Sequence, residues 1–368
     1  MQNPKNTILG EAASLAHFFN ALDALKADSC KTLSIVHIGD SHIQADYFSG
    51  MLRVLLQEKF GNAGRGLIFP YHIAHTNEPV SYSSSSLNEW KGVRNVINPN
   101  GIDIGISGIS AFSGSDNPGF SIKIRNQKGM NYAFNKVELF SKASDRENTR
   151  LLSDGRMTVA EQKNDTYVSV FNLQDTTQKI DFHFSTFNSV DIHGLVLSNG
   201  QPGIIYHSIG VNGASFKSYN STTLFIEQLS YLKPDLIIIS LGTNESYANK
   251  FTIAEFDEQA NAFMEALKKS CSPCSILLTT PADNYKFKKG KPVNNDNPGI
   301  IGNYLKAYAA QKQYAVWDLY EIMGGKESMK HWKKQGLSTK DYVHFTRKGY
   351  ELQGSLLFEA IMNRYNLR

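Results

Sequence analysis

The chain has only three cysteines in 368 residues, no apolar run of membrane-spanning length and no strong excess of one charge. Each shortage removes a class of reading. Cys271 and Cys274, separated by Ser272-Pro273, are the one suggestive pair; such a pair can signal redox work or half a metal site in the cytosol, but with no second pair and Cys30 remote, a local disulfide in a secreted protein or two quiet thiols is expected instead. The ten histidines do not pair with cysteines or carboxylates at a ligand spacing, so neither a metal nor a cofactor is expected. The opening stretch, Met1 to Ala27, is a polar start followed by an amphipathic helix carrying Leu15, Phe19 and Leu22, which is neither a transmembrane segment nor a signal peptide. A net charge of +4 and a pI near 8.7 describe a mildly basic surface, with Lys286, Lys288, Lys289 and Lys291 gathered in one loop. Nucleic-acid binding would need a broader basic face with interleaved aromatics, and no nucleic-acid partner is expected.

What is present begins with Ile35-Val36-His37-Ile38-Gly39-Asp40-Ser41-His42, an apolar run that ends on a serine. The run reads as a buried parallel strand, and Phe48, Met51, Leu52, Leu55 and Leu56 behind it repeat at helical spacing. At a strand-to-helix junction of an open α/β sheet, a side chain faces the crevice where ligands bind, and the helix offers backbone N–H groups to an anion. Ser41 sits at such a junction. Gly-Asp-Ser alone is weak, since chance would supply it in roughly one chain in ten of this length. Two further blocks change the odds: Asp235 to Leu241, an apolar strand running into Gly242-Thr243-Asn244-Glu245, and Asp341-Tyr342-Val343-His344 ahead of a closing helix. An aspartate three residues before a histidine can orient its imidazole from one short loop.

In this order, the three blocks resemble the GDSL or SGNH family of serine hydrolases. Their wording, Gly-Asp-Ser-His, Leu-Gly-Thr-Asn-Glu and Asp-x-Val-His-Phe-Thr followed by Gly-Tyr, is most similar to the peptidoglycan O-acetylesterase-like bacterial members. The resemblance implies a catalytic triad of Ser41, Asp341 and His344, and an oxyanion hole built from the Ser41 backbone, Asn244 and a glycine. Gly213 is the candidate for that glycine, and Gly210 competes with it. Glu245 departs from the aspartate common in the wider family and is read as structural. Asp40 is read as a turn cap, His42 is left outside the site, and Arg65, inside the glycine-rich stretch Gly61 to Gly66, is a candidate to orient a polar substrate.

The resemblance spans about residues 31 to 75 and 203 to 368. It implies a flavodoxin-like three-layer α/β hydrolase with a five-stranded parallel sheet, to which Leu33 to Ile38, Ile204 to Ser208, Asp235 to Leu241, Ser275 to Thr280 and Tyr314 to Trp317 would contribute. Thr252 to Glu255 starts one helix and Thr346 caps the last. Between Ser81 and Val196 helical periodicity fades, and Phe120 to Ile124, Lys136 to Phe140, Tyr167 to Leu173 and Lys179 to Phe184 carry β-formers separated by turn clusters. An inserted all-β sandwich over residues 79–200 is therefore expected, dividing the hydrolase into 1–78 and 201–368. It resembles in architecture the carbohydrate-binding-module-like insertions of some relatives. Trp90, Phe112, Tyr132 and Phe134 are either its core or a surface for stacking on sugars.

The expected function is a serine esterase that removes O-acetyl groups from peptidoglycan or another polysaccharide without a cofactor, with an acetylated glycan as its partner. Two other readings stay open: a lipase-like or thioester-cleaving acyl hydrolase, and a glycan-binding protein on a disabled hydrolase scaffold. The resemblance also implies a periplasmic or extracellular protein whose export signal is missing from this stretch.

Overall fold

The computed structural model describes residues 5–28, 32–97, 102–142, 149–161, 167–185 and 189–368. Cys30 lies outside them.

Five strands, Thr32–Gly39, Gly203–Gly210, Leu236–Ser240, Ser275–Thr279 and Ala315–Trp317, pair in parallel. Numbered along the chain they lie in the order 2-1-3-4-5, the flavodoxin-like arrangement, whose ligand crevice opens between the first and third strands. The sheet has a sixth member. Ile8–Leu9 pairs antiparallel with Val316 and Trp317 at the edge, a two-residue strand too short to leave a periodic signal in the sequence. Apolar side chains alternate between the two faces. Leu33, Ile35, Ile204, Leu236 and Ile238 pack with Phe18, Phe19, Leu52, Leu56, Leu357 and Ile361 of helices Ala16–Lys26, Phe48–Phe60 and Arg347–Asn366. On the other face Val36, Ile38, Ile237 and Ile239 meet Phe256, Phe263 and Leu267 of helix Ile253–Cys271, and Ile301 and Leu305 of helix Asn297–Lys312. Burial on both faces is why these strands read as continuous apolar runs.

The middle of the chain forms two antiparallel sheets. One is ordered Arg156–Val159, Thr149–Ser153, Lys179–Phe184, Gly119–Ile124, Tyr82–Ser85; the other Val168–Thr177, Phe134–Ser141, Val190–Ser198, Ile109–Ser113, Lys91–Arg94. In their shared core Phe120 stacks on Phe182, and Phe171 meets Phe182 edge-on. Trp90, Tyr132 and Phe134 are buried and Phe112 is half-buried. The first three are thus core aromatics, and the stacking role for them is corrected: a ring without an exposed face has none to offer a sugar.

The division at residue 79 is also corrected. Strand Gly66–Ile68, upstream of it, pairs with Val190–Ser198, and the Leu67 N–H donates to His207 Nδ1 of the parallel sheet at 3.1 Å. One apolar cluster runs without a break from Phe120 and Val170 of the sandwich to Val36 and Ile237 of the parallel sheet. The glycines before Gly66–Ile68 serve this seam. A Cβ on Gly66 would lie 2.1 Å from the Tyr206 carbonyl oxygen, and one on Gly64 2.5 Å from that of Leu197, so the backbones meet only because no side chain intervenes.

Candidate active site

Gly39 ends the first parallel strand against Ser240 O and Ile43, where a Cβ would collide at 3.0 and 2.3 Å. Asp40 follows, fully buried, and its Oδ1 accepts the His42 N–H at 2.9 Å. That cap starts the short helix Ser41–Gln44, which sets Ser41 at the carboxyl end of the first strand. Helix Arg347–Asn366 begins with Thr346 Oγ1 accepting the Gly349 N–H. The loop before it carries Asp341 and His344.

These distant segments meet. Ser41 Oγ lies 3.0 Å from His344 Nε2, and His344 Nδ1 lies 2.8 Å from Asp341 Oδ2. The other oxygen of Asp341 accepts the Val343 and His344 N–H groups at 3.0 Å each and the Thr339 hydroxyl at 2.5 Å. Partial burial works against the ionised carboxyl, but these donors and His344 hold it well below the usual carboxylate range. With Asp341 ionised, the proton shared with it sits on Nδ1, and Nε2 faces Ser41 as an acceptor. Thr339 N–H also donates to His344 O at 2.8 Å, closing the loop on itself. Nothing in the sequence signalled Thr339: its role comes from a local loop geometry that has no distinctive spacing.

His42 supports this arrangement from below. Its Nδ1 lies 2.8 Å from Tyr350 Oη and its ring centre 5.2 Å from that of His344. Burial, and then His344 beside it, push its pKa down to about 3, so it is a neutral, packed imidazole.

Asn244 opens the helix after the third strand, across the crevice from Ser41. Its Nδ2 donates to Ala214 O at 2.8 Å and to Asp40 Oδ2 at 3.3 Å, tying together the serine, glycine and asparagine loops. Gly213 is exposed with φ +87°, in a turn closed by Ala214 N–H to Val211 O. Among the described residues, neither the Gly213 nor the Ser41 N–H is spent on an internal acceptor. Gly210 is different: a Cβ there would lie 2.1 Å from Gln44 N, so its glycine serves close packing. Glu245 accepts the Phe216 N–H at 2.8 Å and the Gly242 N–H at 3.1 Å, and burial pushes its carboxyl up to about 7. A cavity of about 180 Å³ beside Asn244 is lined by Ser215, Lys217, Phe251 and Phe256. A second, of about 520 Å³, lies at the opposite end of the first strand against Thr32, Ser34 and His207, too far away to serve Ser41.

Arg65 does not join the site. It is buried, with an Nη 2.6 Å from Asp46 Oδ2, and Asp46 also accepts two hydrogen bonds from Arg53 at 3.0 and 2.9 Å. The substrate-orienting role for Arg65 is therefore corrected to a structural one: its guanidinium is sealed in the interior against Asp46, which it shares with Arg53, and cannot reach a substrate. The lysine-bearing segment is a hairpin, Asn284–Lys288 with Lys291–Asn295, rather than an irregular loop. Cys271 and Cys274 are free thiols, and burial raises them to about 12 and about 11. Among the described residues, no group of three or more His, Cys, Asp or Glu side chains is arranged to hold a metal ion.

A family model of GDSL-like lipases and acylhydrolases matches residues 172–357. Of solved structures, a peptidoglycan O-acetylesterase is similar over 98% of this chain and 99% of its own, at 24% identity and a TM-score of 0.82. A lipase/acylhydrolase from Enterococcus faecalis aligns with 44% of this chain and 77% of its own, at 21% identity and a TM-score of 0.34. A family two carbohydrate esterase from Cellvibrio japonicus aligns with 78% and 98%, at 12% identity and a TM-score of 0.32. No curated protein matches the chain significantly.

Proposed function

The chain belongs to the GDSL-like lipase/acylhydrolase family, and from that premise we propose that it removes O-acetyl or other short acyl groups from a polysaccharide, a cell-wall glycan such as peptidoglycan. The observation that carries this reading is the continuous contact from Ser41 Oγ through His344 to Asp341 at 3.0 and 2.8 Å. His344 takes the proton from Ser41 as the oxygen attacks the ester carbonyl, and Asp341 stabilises the imidazolium. The sugar alcohol leaves with that proton. Water then enters, loses a proton to His344 and releases acetate from the serine. The Ser41 and Gly213 N–H groups are the proposed donors to the carbonyl oxygen as it gains charge. Asn244 joins them by trading its long contact to Asp40 for the oxyanion.

Two features favour a short acyl group on a large substrate. The side chains of His344 and Asp341 are 42% and 48% exposed, which leaves them open to a polymer. The cavity that Asn244 and Glu245 border, at about 180 Å³, has room for an acetyl group or part of a sugar rather than a long chain, and it adjoins the site through Asn244 without being lined by Ser41 or His344. Action on a cell-wall polymer would place the protein outside the cytoplasm; among the described residues no helix is long and apolar enough to cross a membrane.

The test is hydrolysis of p-nitrophenyl acetate against longer acyl esters, beside Ser41→Ala and His344→Ala. Turnover that falls with acyl length and drops about 10⁴-fold or more in either variant is expected. Folded wild-type protein without Ser41-dependent turnover would favour a glycan-binding role instead. Acetate release from O-acetylated peptidoglycan and from acetylated xylan then separates the natural substrates.

A further inference from the structure

The positive charge of this chain is concentrated beside the catalytic loop. The hairpin over residues 284–295 carries Lys286, Lys288, Lys289 and Lys291 and no acid, and residues 326–348 add seven Lys or Arg, of which Lys326, Lys330 and Arg347 are ion-paired with Asp296, Glu327 and Glu351. A solvated hairpin is the ordinary explanation of a lysine cluster, but this one is built into the site. Tyr285 N–H donates to Tyr342 O at 3.1 Å, and the Phe287 and Tyr342 rings lie 6.4 Å apart. Tyr342 is the residue after Asp341. On the other side of the crevice, Tyr247 Oη donates to Tyr285 O at 2.5 Å and Lys286 Nζ to Ala248 O at 3.3 Å, both on the segment that presents Asn244. The hairpin thus grips both walls of the reaction centre and holds its tip in solvent.

Its tip has unspent binding capacity. Lys288, Lys289 and Lys291 are exposed, and none of them forms an ion pair among the described residues. Phe287 is 51% exposed between these charges and Val293 40%, an aromatic face of the kind that packs on a sugar ring with cations on either side. Partial burial, and then Lys288 beside it, lower the pKa of Lys286, so an anion at this edge would relieve a repulsion already present.

We propose that the hairpin is a docking element for a polyanionic, carboxylate-bearing glycan chain, which it seats alongside the catalytic loop. The inference rests on the esterase reading and adds a substrate class to it. A polymer held by charge at several points gains local concentration near Ser41, whereas a small neutral ester gains nothing.

The test compares wild type with Lys288→Glu/Lys289→Glu/Lys291→Glu and with the milder Lys288→Gln/Lys289→Gln/Lys291→Gln on three esters: p-nitrophenyl acetate, chemically O-acetylated polygalacturonate and O-acetylated xylan. Unchanged kcat/KM on p-nitrophenyl acetate reports an intact fold and site. On the acidic polymer kcat/KM should fall about tenfold or more in the Glu variant and less in the Gln variant, through KM. On xylan it should not change, and salt should erase the wild-type preference for the acidic polymer. Equal loss on both polymers, or none on the acidic one, overturns the proposal. Retardation of the protein in gels containing unacetylated polygalacturonate reads the docking step without chemistry. If no ester is turned over, the proposed activity fails while that retardation, and its loss in the Glu variant, still decides the hairpin's role. Tighter retention by a single-stranded oligonucleotide than by polygalacturonate would also overturn it.

Discussion

Asp341 takes hydrogen bonds on both oxygens, and the division of labour between them sets what each neighbour contributes. Oδ2 faces His344, while Oδ1 is held by Thr339 and two backbone N–H groups. Asp341→Asn would keep the shape but offer an N–H or an uncharged oxygen to Nδ1, leaving the tautomer wrong for accepting the serine proton. We expect kcat on p-nitrophenyl acetate to fall about 10⁴-fold with the fold retained by circular dichroism. Thr339→Val removes one donor to Oδ1 and acts only through Asp341. A drop of about tenfold in kcat with little change in KM is expected there, rescued in Thr339→Ser. If Thr339→Ser behaves like Thr339→Val, the hydroxyl is not what matters. Ser41, Asp341 and His344 were legible in the sequence because each sits in a block whose chain context, strand end or capped helix, fixes where it points. Arg65 was not. A glycine-flanked arginine invites a ligand reading, and its partner Asp46 lies 19 residues upstream with no periodic relation to it.

The loops behave as elements because buried carboxyls join them. Asp40 receives the Asn244 amide, and Glu245 receives N–H groups from the glycine loop and its own turn. Burial raises both carboxyls to about 7. A folded-state pKa above the unfolded one means the folded protein binds the proton more tightly, so that stability is fully present below the unfolded value and is lost as pH rises through about 7. Glu245→Gln removes one of the two titrations at the cost of one acceptor. Between pH 5 and pH 8 the Tm of the wild type should therefore fall relative to that of Glu245→Gln by about 2 °C or more. A pH-independent difference between the two would mean that Glu245 is already ionised at pH 5. At this scale the main strands were legible because they are buried on both faces. The short strands Ile8–Leu9 and Gly66–Ile68 were not, because two or three residues carry no period.

Across the whole molecule, the sandwich and the parallel sheet share one apolar core. The insertion separates Ser41 from the other site residues, and the family match, over residues 172–357, leaves Ser41 upstream of it. That seam is also electrostatic. Asp46, just after the Ser41 helix, is buried with Arg53 and Arg65, and accepts further hydrogen bonds from Ser49, Ser81 and Ser208. Its burial opposes ionisation, but the two guanidiniums hold it far below the ordinary carboxylate range. Arg65 belongs to the segment entering the sandwich, and Ser208 to the parallel sheet, so one carboxylate couples the helix that carries Ser41 to both layers. Removing a single member of a buried charge network leaves the others desolvated and uncompensated, which costs about 3–5 kcal/mol. Asp46→Asn should accordingly lower Tm by about 4–6 °C. Pairing it with Arg53→Met should recover part of that loss, since one of the stranded cations is then gone. Additive destabilisation in the double variant would instead mean that Arg53 is held by Tyr132 and Gln127 and that the carboxylate does not organise the seam.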